Sequence, residues 1–505
     1  MIMIPTARRL RISSLVIVAA MTMLLPTAAL AHGRLKSSLP AAGAQLSIVP
    51  REVRLDFSEA PDLTFSSIRL VSKAGREIPL GAVSFATDSR RSIVALVAAA
   101  LEAGTYTVIW QMAGDDGHPV RGRFDFVIAA GAAGLGVAPV GVAPTASNTG
   151  ARTMDSTAMA GMHHDPESMP ESNGFDAESP LYVVLRWMQF VGLLLAIGTV
   201  SVHAFVLGFI RRDPYSLAQG DEPAMLSAVE SRAASIGTIA AALLAISLVL
   251  RLLAQGYAMH GAAVTSDPSL MIPMIRKTMW GWGWVLQLVG TALVAAGFRG
   301  ARTARDDVGG ATTSPALGHW HLSWRLAALG TVLLAFSPGM ASHAASSPKL
   351  RSLAMFADGL HVLAASSWLG TLAIVLFAGV AVASTRRALS GEFVRDMINA
   401  FSPLALVSAG LATTTGVFAA WLHVGTIPNL WGTRYGLILM TKLVILGVVT
   451  ITGFYNWRFV KPRLGTPQAT MHLRRSARVE VAVAIIVLLV TAVLVASPTS
   501  LDMVM

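Results

Sequence analysis

Val53, Leu55 and Phe57 are apolar while their neighbours are mostly charged or polar, and the same period of two returns at Tyr106, Val108, Trp110 and at Phe124, Phe126, Ile128. That alternation predicts half-buried strands. Turn signals at Pro40-Ala-Ala-Gly43, Lys73-Ala-Gly75 and Glu102-Ala-Gly104 separate them, so residues 32–129 read as a small antiparallel β-sandwich of immunoglobulin type. Residues 130–180 are rich in Ala, Gly, Pro, Ser and Thr and hold almost no large apolar side chain, which predicts a flexible linker. Beyond it the alternation gives way to eight apolar segments, at 182–210, 230–254, 281–299, 322–339, 353–383, 400–422, 434–457 and 479–497. Each is near the length that crosses a bilayer as a helix. The fold class is therefore mixed and multidomain: an all-β immunoglobulin-like sandwich, then an all-α eight-helix transmembrane bundle over 181–498, with a tail at 499–505.

Composition agrees, with 54% hydrophobic and 13% charged residues in a chain of 505. A net charge of +11 would suggest nucleic acid in a soluble protein. Its distribution gives another reason. Arg211, Arg212, Arg299, Arg302, Arg305, Arg386, Arg387, Arg395, Arg458, Lys461, Arg463, Arg474, Arg475 and Arg478 fall on one side of the predicted bundle, against only Arg276, Lys277, Lys349, Arg351 and Arg434 in loops on the other. The first side is cytoplasmic by the positive-inside rule. The sandwich and the tail are then periplasmic, the protein is a multi-pass inner-membrane protein in contact with lipid, and no nucleic-acid partner is needed. Residues 1–31 read as a signal peptide: Arg8, Arg9 and Arg11 precede an apolar run from Leu15 to Leu25, and Ala29 and Ala31 suit the cleavage site. Cleavage makes His32 the new terminus.

The chain has no cysteine, so a metal must be held by His, Met, carboxylate or backbone groups. A terminal His32 offers its amine and its Nδ1 in one chelate ring. Asp116 and His118, two apart in Asp115-Asp116-Gly117-His118-Pro119, lie on one side of an extended or turning segment. Imidazoles, an amine and a carboxylate suit tetragonal Cu(II). In the linker Met154, Met159, Met162, His163, His164 and Met169 crowd together, and thioether sulfur in a segment with no core to fill suits Cu(I).

Residues 32–129 resemble the CopC family of periplasmic copper-binding sandwiches. The resemblance rests on His32 behind the leader, Ser38-Leu-Pro-Ala-Ala-Gly43, Val53-Arg-Leu-Asp-Phe-Ser58, Gly104-Thr-Tyr-Thr-Val108 and Asp116-Gly-His-Pro-Val120. It implies Cu(II) ligation by His32, Asp116 and His118. Asp115 stands where the family more often has a small residue. The only thioether within the sandwich is Met112, so the Met-rich Cu(I) site of some members is not expected here. The membrane half resembles the CopD family through Ser342-His343-Ala344, Asp358-Gly-Leu-His361, Ala364-Ala-Ser-Ser-Trp-Leu-Gly370, Tyr435-Gly-Leu-Ile-Leu-Met-Thr-Lys442, Asn456 and Glu480. The pair of resemblances implies copper passage across the inner membrane, with the sandwich supplying metal and periplasmic copper carriers as further partners.

Depth along the predicted helices gives a membrane entry site. His260, His343 and His423 stand at or just beyond the outer ends of the second, fourth and sixth segments, with Met259 and Met340 beside two of them. His361 lies about 12 Å into the fifth at helical rise. Asp358, His361, Ala365 and Trp368 share one face by three-and-four spacing, and Lys442 enters the seventh segment to a similar depth, where it can pair with Asp358. The expected entry set is His260, Met340, His343, Asp358, His361 and His423, for Cu(I) or Cu(II).

Three functions compete. The first is copper capture and transport, with import the preferred direction, in a protein that is not an enzyme; no Walker-type phosphate loop is visible. The second is a haem-bearing electron carrier or copper reductase, which needs paired histidines at matching depth. His203 is the only histidine besides His361 well inside a helix, and it lies toward the cytoplasm. The third is sequestration, with the helices serving as an anchor.

Overall fold

The computed structural model describes residues 35–58, 60–113, 119–133, 179–212, 222–308, 314–342, 350–383, 390–463 and 467–497. The chain forms two compact units, one of strands and one of helices.

Among the described residues nine strands build the first unit: β1 (Leu35–Leu39), β2 (Gln45–Ile48), β3 (Glu52–Phe57), β4 (Ser67–Ser72), β5 (Glu77–Ile78), β6 (Ser84–Ala86), β7 (Ser89–Leu96), β8 (Gly104–Ala113) and β9 (Pro119–Ala133). They form two sheets, ordered β1-β3-β7-β6 and β2-β9-β8-β4-β5. All pairings are antiparallel except β2 with β9. The period-two residues make the core as predicted: Val53, Leu55, Phe57, Tyr106, Val108, Trp110, Phe126 and Ile128 are buried. Phe124 packs against that core from its edge. Met112 is also wholly buried in it. The predicted turns close as their glycines allow, with Gly43 at φ 73° and Gly75 at φ 77°. The Tyr106 hydroxyl donates to the Glu102 carbonyl at 3.0 Å, tying the strand to the turn before it.

Two further devices hold the sandwich. Trp110 of β8 faces Gly122 of β9 across the ladder, and its ring meets Phe57 edge-on at 5.3 Å. A Cβ at Gly122 would stand 2.4 Å from the indole, so only glycine admits that ring. On the outer face Arg54 donates to Asp56 at 2.9 Å and to both oxygens of Asp88, while Ser37 donates to Asp56 at 2.7 Å. Burial pushes the Asp56 carboxyl up, but bonds from Ser92, Ser37 and Arg54 outweigh it and hold the group below the ordinary carboxylate range. The bond from Arg54 does the same for Asp88.

The second unit contains, among the described residues, eight helices long and apolar enough to cross a membrane. They are α1 (Pro180–Ile210), α2 (Pro223–His260), α3 (Met279–Thr303), α4 (His321–Ala341), α5 (Arg351–Ala383), α6 (Gly391–Val424), α7 (Arg434–Arg463) and α8 (Arg475–Ala496). Most outrun the predicted apolar segments, because a helix continues past the last apolar residue as long as its backbone keeps its own hydrogen bonds. Close crossings use small residues. A Cβ on Gly198 of α1 would fall 2.3 Å from the Gly370 carbonyl carbon of α5, and one on Gly330 of α4 would fall 2.8 Å from the Gly290 oxygen of α3. Buried polar side chains complete the packing of the first three helices. Arg251 of α2 donates to the side-chain oxygens of Gln189 of α1 and Gln287 of α3, and the Tyr182 hydroxyl of α1 donates to Gln255 of α2 at 3.0 Å. Near the far end of α1, His203 Nδ1 bonds Glu230 of α2 at 2.6 Å and its ring stacks on Trp324 of α4 at 3.9 Å. Leu406, Val407 and Val417 of α6 and Val444 and Ile451 of α7 are exposed, an apolar surface suited to acyl chains.

Two outcomes follow. Gly122→Val in the full-length protein costs about 1–3 kcal/mol of overpacking, read as a lower melting temperature of the sandwich; an unchanged melt would mean that Trp110 moves freely. The carboxyls of Asp56 and Asp88 lie low in the folded state, so their contribution is present above the unfolded value of about 3.9 and fades as pH falls through the folded one. Arg54→Leu therefore destabilises the sandwich at neutral pH, and its deficit against wild type closes below about pH 4 in denaturation measured across pH.

Candidate metal centre

His32, Asp116 and His118 lie outside the described residues, and so do Met154, Met159, Met162, His163, His164 and Met169 of the linker and His343 of the membrane half. The strands that carry the first three are described, and their register is informative. β1 starts at Leu35, three residues after His32, and Leu35 pairs with Phe57 at the end of β3. β8 ends at Ala113 and β9 starts at Pro119, these two residues being paired, so Asp116 and His118 belong to the connection between them. The Asp62 amide, five residues beyond β3, donates to the Ala113 carbonyl at 2.8 Å. The Phe57 and Trp110 rings in contact mark the same end from inside. The start of β1, the end of β8 and the start of β9 thus lie at one end of the sandwich.

In the membrane half each described candidate has a definite place. Asp358 and His361 are partly buried on α5, one turn apart. His361 Nδ1 lies 3.0 Å from the Ala412 carbonyl and 3.0 Å from Thr415 Oγ1, both on α6. A carbonyl only accepts, and the Thr415 hydroxyl gives its own hydrogen to the Leu411 carbonyl at 2.8 Å. Nδ1 must therefore carry the proton, which leaves Nε2 with the lone pair that a metal takes. A second partner that fixes the tautomer in this way is the usual support of a ligating histidine. Gly416 provides the room: a Cβ there would lie 3.3 Å from the imidazole. Asp358 Oδ2 accepts from Ser342 Oγ at 3.3 Å, just past the end of α4, and Lys442 of α7 is within electrostatic reach of both Asp358 and His361. No direct ion pair joins Lys442 to Asp358 among the described residues; the two interact across a gap.

The rest of the expected entry set is less gathered. Met340 sits in the turn Pro338–Ala341 at the end of α4, where its Cβ would meet a side chain on Gly283 of α3. His423 lies seven residues beyond Gly416 on α6, roughly 10 Å along the axis, with its ring 6.3 Å from that of Tyr435. His260 is the last residue of its helix. Among the described residues no three His, Asp or Glu side chains converge as a metal cluster. His361 is ten residues into α5 and His203 is twenty-three into α1, a difference of roughly 20 Å in depth, so the two do not make a haem pair. Ser342 belongs to the stretch that carries the CopD resemblance, whereas Ala412, Thr415 and Gly416 were not among the expected site residues. The three threonines before Gly416 in an otherwise apolar stretch were the available signal.

Comparison with known proteins agrees with this division. The CopC domain model matches residues 35–129, and the model for Copper resistance protein D matches residues 395–494. Copper transport protein CutJ of Bacillus subtilis (strain 168) is 23% identical over 477 residues, covering 94% of this chain and 76% of its own. Copper resistance protein C of Pseudomonas syringae pv. tomato is 36% identical over 121 residues, which cover 23% of this chain and 95% of that protein. The crystal structure of CopC from Methylosinus trichosporium OB3b is 26% identical and covers 20% of this chain and 95% of its own, with a TM-score of 0.19 over the whole. A copper-family sandwich and a multi-pass bundle thus stand in one polypeptide: the chain belongs to the copper-resistance proteins that join a CopC domain to a CopD domain.

Proposed function

We propose that this protein captures Cu(II) outside the cytoplasmic membrane and passes copper inward through the helical bundle, without catalysing a reaction of its own. The observation that carries the reading is the shared end of the sandwich. The start of β1 and the paired ends of β8 and β9 lie on the same side, which supports one ion shared by a terminal His32 with Asp116 and His118. An amine, two imidazoles and a carboxylate form the nitrogen and oxygen set that Cu(II) prefers. Cleavage after Ala31, periplasmic exposure of the sandwich and the boundaries 32–129, 130–180 and 181–498 are part of the same proposal.

His361 is the inner partner. Its Nδ1 is committed to α6, and its Nε2 and the neighbouring Asp358 are the donors offered to an ion entering at the start of α5. Met340, His343, His260 and His423 are rim donors, and the linker methionines and histidines are soft donors for copper that an external one-electron reductant has brought to Cu(I). The loop charges support the outward orientation of this end.

Copper content of cells separates the alternatives. His32→Ala, His118→Ala and His361→Ala each lower accumulation relative to wild type if the route is inward; raised accumulation means export, and no change on His361→Ala means that the bundle is an anchor. Thr415→Val gives a smaller loss than His361→Ala, because the Ala412 carbonyl still holds Nδ1. Mass spectrometry of the purified full-length protein finds His32 at the terminus, and isothermal titration shows Cu(II) affinity falling in the His32 and His118 variants by more than the roughly 10–100-fold that an outer-shell partner is worth.

A further inference from the structure

Glu480 of α8 and Asn456 of α7 form a buried pair in the half of the bundle opposite Asp358 and His361. Glu480 is 5% exposed and Asn456 9%. Asn456 opens the π-helical turn Asn456–Val460, a widened turn that sets its side chain toward α8; such turns recur at functional positions. Its Nδ2 uses both hydrogens, one to Glu480 Oε1 at 2.5 Å and one to Ser476 Oγ at 2.8 Å. Ser476 Oγ lies 3.5 Å from the same carboxyl oxygen.

Counting donors against acceptors leaves a deficit. Asn456 Oδ1 is fully buried and has no hydrogen bond, and Glu480 Oε2 takes none among the described residues. A carboxylate anion with one oxygen unpaired, and beside its donor amide a buried oxygen with no donor, are both costly away from water. Turning the amide over does not help, since its oxygen would then face the carboxylate directly. A proton on Glu480 removes that conflict: with the amide turned over, the carboxyl O–H donates to the amide oxygen across the same 2.5 Å contact.

Among the described residues no cation does this work; the side chains of His472 and Arg474, earlier on the same helix, lie outside them. On α8 itself Arg475 and Arg478 point outward and are exposed. On α7 Arg458 lies over the Phe459 ring and Lys461 donates to Ser402 of α6 at 2.9 Å. On α1 the ionisable groups at this end, His203 and Arg211, bond Glu230. On α6 Arg395 pairs with Asp396. α5 has no ionisable side chain from Ser366 to Ala383. The donor set is also all oxygen, without the thioether or imidazole that would suit Cu(I).

We propose that Glu480 is a proton-binding site of the membrane domain, its proton shared with Asn456, and that this proton is exchanged as the cargo crosses the cytoplasmic half. The second clause rests on the transport reading; the first does not. Infrared spectra of the full-length protein in lipid vesicles test the first. The C=O stretch of a protonated carboxyl is lost in Glu480→Gln and shifted in Asn456→Ala, and identical wild-type and Glu480→Gln spectra in that region overturn the proposal. Copper flux into the same vesicles tests the second: wild-type flux follows an imposed pH difference, and Glu480→Gln flux is indifferent to it. A wild-type flux indifferent to pH overturns the coupling. A wild type that moves no copper while keeping the Glu480 band overturns transport and leaves the proton site standing. If Glu480→Gln fails to fold, the Asn456→Ala band shift decides alone.

Discussion

A polar side chain inside a bilayer has no water to turn to, and the helical half of this protein is organised by that constraint. Its helices are apolar on the outside and mutually indifferent by hydrophobicity, since lipid is as apolar as leucine. What selects one packing from many is the pairing of polar atoms. Arg251 finds acceptors for its Nη1 only where Gln189 and Gln287 meet it, His203 is held where Glu230 and Trp324 lie, and His361 where α6 offers a carbonyl and a hydroxyl. Gly198, Gly370, Gly290 and Gly330 let the backbones come close enough for those short side chains to touch. A packing error that separates any of these pairs leaves a bare dipole in hydrocarbon, so the polar contacts act as a register.

The same constraint links structure to function. Holding Nδ1 of His361 from two sides costs nothing that the packing does not already need, yet it leaves Nε2 as a preoriented ligand. In the sandwich, where water is available, the organising principle is different: an apolar core from two alternating sheets, with Trp110 seated over Gly122. There the polar residues are free to be arranged at the edge, and the strand register brings the start of β1 and the paired ends of β8 and β9 to one end.

Much of this was legible in the sequence because its signals are strong and local. The alternation around Val53 and Tyr106 is the sheet's own period, and eight long apolar runs can be little else than spans. The placement of Asp358 and His361 followed from helical spacing alone. The partners of those residues were not legible. Thr415 and Ala412 are fifty or so residues away, and nothing local to His361 indicates which helix will lie against it. The expected pairing of Lys442 with Asp358 became a proximity without contact for the same reason: depth can be counted along each helix, but rotation about its axis is set by neighbours. Asn456 and Glu480 carried the family resemblance, and only their hydrogen-bond accounting turned them into chemistry.

Along the proposed route the chemistry of the donors changes in an order that suits passage over storage. Nitrogen and oxygen donors at the terminus suit Cu(II), thioethers in the linker suit Cu(I), and in the bundle the braced imidazole of His361 stands one turn from Asp358 with Lys442 nearby. The lysine bears on the balance. A carboxylate alone next to His361 would deepen the well for a cation, whereas a neighbouring ammonium offsets part of that attraction. Conduction requires a station attractive enough to enter and weak enough to leave. A histidine braced in position, a carboxylate and an opposing lysine meet both demands, and a denser cluster of ligands at the same depth would meet only the first.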